Sequence, residues 1–268
     1  KRWSLHLRNH RKIAVIDAET AFISSQNIGD EYLGRHERLT PWHDCQLRIR
    51  GPAALFLQQV FAEDWLFAAR EDLDREVYFP TPPAAGDSIV QVLATGPQQD
   101  ESVLGQLLFA ALSEARQTIR IATPYFVPDA ALRMALVHAA WRGVRVQVVL
   151  TTQSDVPITL WAARSYYGEL VDAGVEVYEF YDGVLHSKLL TVDDEWGMAG
   201  SANMDVRSFR LNLEASALVY DAQLARRLSE LAEQHIRAAR RITARDVWNR
   251  TRTEQVLYGI ARILGPLL

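Results

Sequence analysis

Several things are scarce in these 268 residues, and each scarcity excludes something. Cysteine occurs once, at Cys45, so no intramolecular disulfide framework exists and a reducing compartment is compatible with the chain. Positive charge is not in excess: 29 Lys and Arg face 33 Asp and Glu, a net charge of −4. A general electrostatic footprint for nucleic acid is therefore missing. No apolar run approaches the roughly 20 residues that a membrane-spanning helix needs, and no signal peptide opens the chain. The start at Lys1-Arg2-Trp3 has no Met, which suggests a fragment.

What is present is a duplicated phrase. His10-Arg11-Lys12-Ile13-Ala14-Val15-Ile16-Asp17 and His186-Ser187-Lys188-Leu189-Leu190-Thr191-Val192-Asp193 share the pattern H-x-K-x4-D. Asn27 and Asn203 follow their histidines at equal offsets, and Ser25 and Ser201 precede each Asn by two positions. A lone histidine in a strand is usually structural or exposed; four residue types recurring in register are not. One active site built from two half-sites is the expectation. His and Lys two apart leave the same face of an extended segment. The apolar runs on either side of Asp193 predict a strand–turn–strand hairpin that returns Ser201 and Asn203 towards His186 and Lys188. Imidazole, ammonium, hydroxyl and amide, each doubled, suit an oxyanion of phosphorus. Lysine supplies charge, Asn and Ser supply donors, one His attacks and the other protonates the leaving oxygen.

A neutral imidazole needs a carboxylate or carbonyl on its second nitrogen to hold its tautomer. Glu214, inside the apolar stretch Leu211–Val219, is the expected partner of His186. Asp44, ahead of the alternating segment Cys45–Arg50, is the expected partner of His10. Asp17 and Asp193 complete the catalytic phrase and are counted with it. Each also ends its strand, where Asp commonly makes turn hydrogen bonds, so a structural role is favoured for both.

The remaining pattern is that of an α/β sandwich with a largely parallel sheet. Strands are expected over Ile89–Leu93, Thr118–Ala122, Val144–Leu150 and Val175–Tyr178. Helices are expected over Leu55–Ala69, Val103–Ala115, Asp129–Arg142 and Ile158–Ala173. Asp129 should cap its helix, and Gly143 and Gly174 should close theirs. The Pro-rich segment Tyr78–Asp87 reads as a linker dividing 1–86 from 87–268.

These residues resemble the phospholipase D superfamily and, within it, the bacterial cardiolipin synthases. Besides the two motifs, the similarity is carried by Asn27-Ile28-Gly29-Asp30-Glu31-Tyr32, Thr123-Pro124-Tyr125-Phe126-Val127-Pro128-Asp129, Trp161–Tyr167 and Gly200–Phe209. The resemblance implies two pseudo-repeated α/β sandwich halves sharing one active site, the first truncated at its N-terminus. It implies His10 as nucleophile through a phosphohistidine, His186 as general acid and base, and no metal or other cofactor. Lys12, Lys188, Asn27 and Asn203 would hold the phosphate, assisted by Ser25 and Ser201. The implied reaction is phosphatidyl transfer between phosphatidylglycerol molecules with release of glycerol. Alternatives are a phospholipase D-type hydrolase, a nuclease of the same fold, and an inactive scaffold. The acidic balance argues against the nuclease and the intact motifs against the scaffold. The family usually carries Gly where this chain has Ser24, so the turn there is expected to differ. Six arginines between His235 and Arg252, beside Trp248 and an apolar C-terminal run, suggest contact with an anionic membrane surface; a solvated helix packed on the core is the plainer account. The family also implies a bacterial cell-membrane location, peripheral or through N-terminal helices outside this chain.

Overall fold

A computed structural model describes residues 8–35, 39–97 and 102–265; the opening Lys1-Arg2-Trp3 lies outside the described residues. The first part of the chain forms β1 (Ile13–Ile16), β2 (Thr20–Ser24), the short β3 (Trp42–His43), β4 (Gln46–Arg50) and α1 (Ala53–Ala69). After residues 79–88, which carry neither helix nor strand, come β5 (Ile89–Thr95), α2 (Val103–Glu114), β6 (Thr118–Thr123) and β7 (Phe126–Val127). Then follow α3 (Ala130–Trp141), β8 (Arg145–Thr151), α4 (Pro157–Arg164), α5 (Tyr167–Asp172), β9 (Glu176–Phe180) and β10 (Val184–Leu185). The chain continues through β11 (Leu189–Val192), β12 (Trp196–Gly200), β13 (Met204–Asp205), α6 (Val206–Arg210) and β14 (Glu214–Tyr220). It ends in α7 (Ala222–Arg237), β15 (Ala239–Arg241), α8 (Ala244–Trp248) and α9 (Arg252–Leu264).

An eight-stranded sheet has the order β15-β9-β8-β6-β11-β12-β14-β5, and a three-stranded sheet the order β1-β2-β4. The large sheet is mixed, not largely parallel. Only β6–β8 and β8–β9 are parallel, each joining neighbouring strands through helices; the other five pairings are antiparallel. Alternation along each strand divides the core in two. Ile119, Ile121, Val146, Val148, Leu190 and Met198 point to the face covered by α2 and α3. Ala122, Val149, Leu189, Ala199 and Ala217 point the other way, where α7 and the three-stranded sheet supply Leu228, Ala232, Ile23 and Leu47. The alanines lie where one sheet faces another, which lets the backbones approach.

Local signals explain the helix ends. The Asp129 carboxylate accepts from Leu132 N at 2.9 Å, and Gly143 takes φ 89° beyond α3. The expected single helix over Ile158–Ala173 is instead α4 and α5. The Ser165 hydroxyl donates back to Ala162 O at 2.5 Å, diverting the chain at the break. The C-terminal basic segment is partly inward-facing. α9 packs on α4, with Tyr258 and Ala261 buried. The Arg250 guanidinium stacks over Tyr258 at 5.1 Å, and that of Arg262 over Tyr166 at 4.5 Å.

Candidate active site

Two hairpins deliver the duplicated residues. β1 and β2 turn at Asp17-Ala18, and β11 and β12 at Asp193-Asp194, with φ between 53° and 56° at all four residues. Positive φ at both central residues matches the strand twist, and Asp tolerates it. The Asp193 carboxylate accepts from the backbone amides of Arg116, Gln117 and Thr118 at 2.7–2.8 Å, tying the turn to the start of β6. The Asp17 carboxylate takes no hydrogen bond from the described residues. Four extended residues lie between each Asp and its Lys, five rises of the strand or roughly 16 Å. Asp17 and Asp193, grouped with the catalytic phrase in the sequence, thus both stand in hairpin turns.

At the other end of the hairpins the two parts of the chain interlock. His10 N donates to Leu213 O at 2.9 Å, the residue before Glu214. In the same way His186 N and Ser187 N donate to His43 O at 2.9 and 2.7 Å, the residue before Asp44. β10 pairs in parallel with β3, and an isolated parallel bridge joins Asn9 to Leu213. Each histidine segment is thus zipped to the carboxylate segment of the other part. The side chains follow the backbone. His10 Nδ1 lies 3.0 Å from both Oε1 and Oε2 of Glu214. His186 Nδ1 lies 2.7 Å from Asp44 Oδ1. The expected pairs, Glu214 with His186 and Asp44 with His10, are therefore exchanged.

The serines also differ from expectation. Ser25 Oγ donates to Asp44 Oδ1 at 2.7 Å and accepts from Cys45 N at 3.0 Å. Ser201 Oγ donates to Glu214 Oε2 and accepts from Ala215 N at 3.0 Å. Both hydroxyls donate to the carboxylates that pair with the histidines. Asn212, which the sequence did not single out, donates from Nδ2 to Glu214 Oε1 at 3.0 Å. Its signal was its position two residues ahead of the buried acid. Ser24 is accommodated with ordinary φ, and its Oγ accepts from Gln26 N at 2.9 Å. At the matching Gly200, a Cβ would lie 2.3 Å from Ala215 O, so only there does the close approach require Gly.

Burial sets the charges. It would raise Asp44, yet the hydrogen bond and charge of His186, with Ser25, hold that carboxyl below its usual range. Glu214 is held low against the same burial by His10, Ser201 and Asn212. His186 is pushed down to about 4 by burial and then by the Lys188 ammonium. Lys188 Nζ lies 3.1 Å from His186 Nε2 and donates to His186 O at 3.0 Å. Burial lowers Lys188 to about 7 and Lys12 to about 8. Lys12 feels Glu214 and Asp44, and Lys188 feels Lys12, so the groups of both parts share one field. Lys12 Nζ donates to His10 O at 2.7 Å. The asparagines are unequal. Asn203 is buried with Oδ1 unpartnered, whereas Asn27 is exposed and donates to the Tyr32 hydroxyl at 2.5 Å. Trp42 stands edge-on to His186 at 5.0 Å, and Tyr32 lies 5.8 Å from the same ring. The buried Asp205, raised to about 6 by burial, caps α6 through Ser208 N at 2.6 Å.

The chain is similar to known proteins in sequence and in fold. The family described as "Cardiolipin synthase, PLD-like domain" matches residues 108–236. A cardiolipin synthase of Geobacillus thermodenitrificans is 40% identical over 98% of this chain and 53% of its own length. Cardiolipin synthase A of Pseudomonas putida is 39% identical over 100% of this chain and 55% of its own. The chain belongs to the phospholipase D superfamily. In sequence it sits with the bacterial cardiolipin synthases, of whose length it spans about half. Two solved structures share the superfamily fold. The phosphatidylserine synthase of Haemophilus influenzae superposes with a TM-score of 0.75 at 16% identity, covering 98% of this chain and 72% of that one. The phospholipase D family member Nuc of Salmonella typhimurium gives 0.51 at 23%, covering 59% and 99%. Among the described residues of this phospholipase D-like chain, no helix is long and apolar enough to cross a membrane.

Proposed function

We propose that this chain carries the catalytic centre of a phosphatidyltransferase that makes cardiolipin from two phosphatidylglycerol molecules, residues 1–86 ending one phospholipase D-like half and 87–268 forming the other. The observation that carries the chemistry is the crossed pairing of two histidines with two buried carboxylates, beside two lysines of lowered pKa. The similarity to cardiolipin synthases over nearly all of this chain carries the substrate.

In this mechanism Glu214 holds the His10 Nδ1 proton and leaves Nε2 as the attacking lone pair. His10 is the more open ring, with 26% of its side chain exposed against 9% for His186. Lys12, Lys188 and Asn203 hold the phosphate oxygens. Lys188 turns from His186 Nε2 to the arriving anion, whose charge favours protonation of His186. His10 Nε2 then bonds to phosphorus, the bond from phosphorus to the glycerol oxygen breaks, and His186 gives that oxygen its proton. In the second half-reaction His186 removes a proton from a hydroxyl of the second phosphatidylglycerol. That oxygen bonds to phosphorus, the phosphorus–nitrogen bond breaks, and cardiolipin leaves.

Contact with an anionic bacterial membrane belongs to the same proposal, with a changed surface. Arg240 pairs with Asp246 at 2.8 Å, while Arg237 lies 3.8 Å from Glu233 and Arg241 3.8 Å from Glu176. These partners blunt the arginine cluster. Trp248 and the exposed Val256, Ile260 and Ile263 of α9 are then the groups available to enter a lipid interface. The deciding experiment incubates the full-length protein with labelled phosphatidylglycerol in EDTA and separates the products. Cardiolipin with glycerol is the expected result. Phosphatidic acid alone would make the protein a hydrolase and overturn the proposal.

A further inference from the structure

Beside the histidines the fold builds a second polar pair that the transfer chemistry above does not use. Tyr125 follows β6 by two residues, and β6 lies against β11 with Ala122 opposite Leu189. Tyr125 is thereby set at the end of the sheet where Lys188 leads into β11. Its place is held on both sides. The Thr123 hydroxyl donates to Tyr125 O at 3.0 Å and accepts from Met204 N at 3.4 Å. Next along, Phe126 pairs with Met204, the neighbour of Asn203. From this anchored position the Tyr125 hydroxyl donates to Asp155 Oδ1 at 2.7 Å.

Asp155 stands in the loop between β8 and α4 and is exposed. Its Oδ1 also accepts a long 3.4 Å contact from Ser154 Oγ, while Oδ2 takes no hydrogen bond from the described residues. Tyr32 is contributed by the other part of the chain. Its ring is 5.8 Å from the His186 imidazole, and its phenol, pushed up to about 12 by burial, also feels Asp44 and Asp155. The strand that leads into the Asp155 loop is tied to the histidine segment, Leu185 N donating to Thr151 Oγ1 at 3.3 Å, so Asp155 sits at the rim of the centre, opposite the lysines in charge. A carboxylate there repels a phosphate and attracts the hydroxyls attached to it.

We propose that Asp155, held in place by Tyr125, is a subsite for the neutral polyol of a lipid headgroup: the carboxylate accepts hydrogen bonds from the vicinal diol of a glycerol whose third oxygen is at phosphorus. This subsite deepens the phosphatidyltransferase function proposed above and rests on it. It receives the two free hydroxyls of the departing glycerol in the first half-reaction and, in the second, the secondary hydroxyl that an accepting headgroup keeps when its terminal hydroxyl attacks phosphorus. A hydroxyl accepted by an ionised carboxylate binds about tenfold or more better than one facing a neutral amide. Asp155 is a specificity residue here and not a proton carrier. Asp155 also precedes α4, where its charge suits a helix N-terminus. That role would act on every acceptor alike.

The test uses full-length protein on phosphatidylglycerol vesicles, with labelled glycerol, 1-propanol and ethanolamine competing at equal concentration. Asp155→Asn should lower glycerol incorporation relative to 1-propanol by about tenfold, with the melting temperature little changed. Tyr125→Phe, which frees the carboxylate without removing it, should move the ratio the same way by less. Equal loss with glycerol and 1-propanol, or an unchanged ratio in both variants, overturns the subsite while leaving the transferase intact. Ethanolamine falling more than glycerol overturns the diol assignment in favour of a cationic headgroup. A parent protein that yields only phosphatidic acid overturns the transferase, and the subsite with it.

Discussion

The exchanged carboxylates give the sharpest prediction. Glu214 is 1% exposed on its side chain, and every contact it makes is from a donor: His10 Nδ1 to both oxygens, Ser201 Oγ and Asn212 Nδ2. Glu214→Gln keeps the shape but places an NH2 where only acceptors fit, so at least one of these donors loses its partner. A buried donor left unpaired costs about 1–3 kcal/mol, and the surviving bond to His10 drops from the charged to the neutral class, a further ~1 kcal/mol or more. The greater loss is in the reaction, where the carboxylate no longer stabilises positive charge as His10 bonds to phosphorus. A fall in turnover of about 10²- to 10⁴-fold is expected. The assignment itself is read by NMR on protein carrying 15N-labelled histidine. Glu214→Gln should shift the Nδ1 resonance of His10 and leave His186 in place, and Asp44→Asn should do the converse. Glu214→Gln moving His186 while His10 stays still would refute the crossed pairing and, with it, the interlock through Leu213 and His43.

Other outcomes follow from the same geometry. His10→Ala and His186→Ala should each leave less than about a tenth of the turnover, with unchanged circular dichroism, since neither ring can do both tasks; a larger residue in either variant contradicts the division of labour. Asp193→Asn should cost roughly 1–3 kcal/mol by weakening three amide contacts, read as a melting point lower by a few degrees with activity retained, whereas Asp17→Asn should leave melting unchanged; loss of activity without loss of stability in Asp193→Asn would return that residue to the reaction. Lys188 and Lys12 are lowered by burial to about 7 and about 8 and must be charged to hold phosphate. kcat/KM should therefore fall as pH rises through that window, and the limb in kcat should lie higher because the bound anion favours the ammonium; coincident limbs would argue against both lysines. The linkage has the opposite sign for stability. Between about 7 and 10.5 the unfolded chain holds the proton that folded Lys188 has lost, so Lys188 makes stability rise with pH, and Lys188→Met should flatten that rise in thermal melts.

The residues that converge on the candidate site were legible in the sequence because duplication is a one-dimensional signal. His10, Lys12 and Ser25 recur as His186, Lys188 and Ser201 at a fixed offset, and that identifies a two-part site without coordinates. Strands and helices with strong periodicity or a capping Asp were legible for the same local reason, as at α3. The split of α4 from α5 was not, because a hydroxyl that turns back on its own helix leaves the apolar pattern unbroken. Nor was the mixed sheet, since strand direction depends on which neighbours pair. Above all, the partner of each histidine was undecidable from the chain. Glu214 lies nearer to His186 in sequence, and Asp44 nearer to His10, yet the parallel zippering of His43 to His186 and of Leu213 to His10 exchanges them. Proximity along a chain governs turns, caps and hairpins. A buried carboxylate pairs instead with whichever imidazole the packing of two sheets brings within 3.0 Å, and only the tertiary structure decides that.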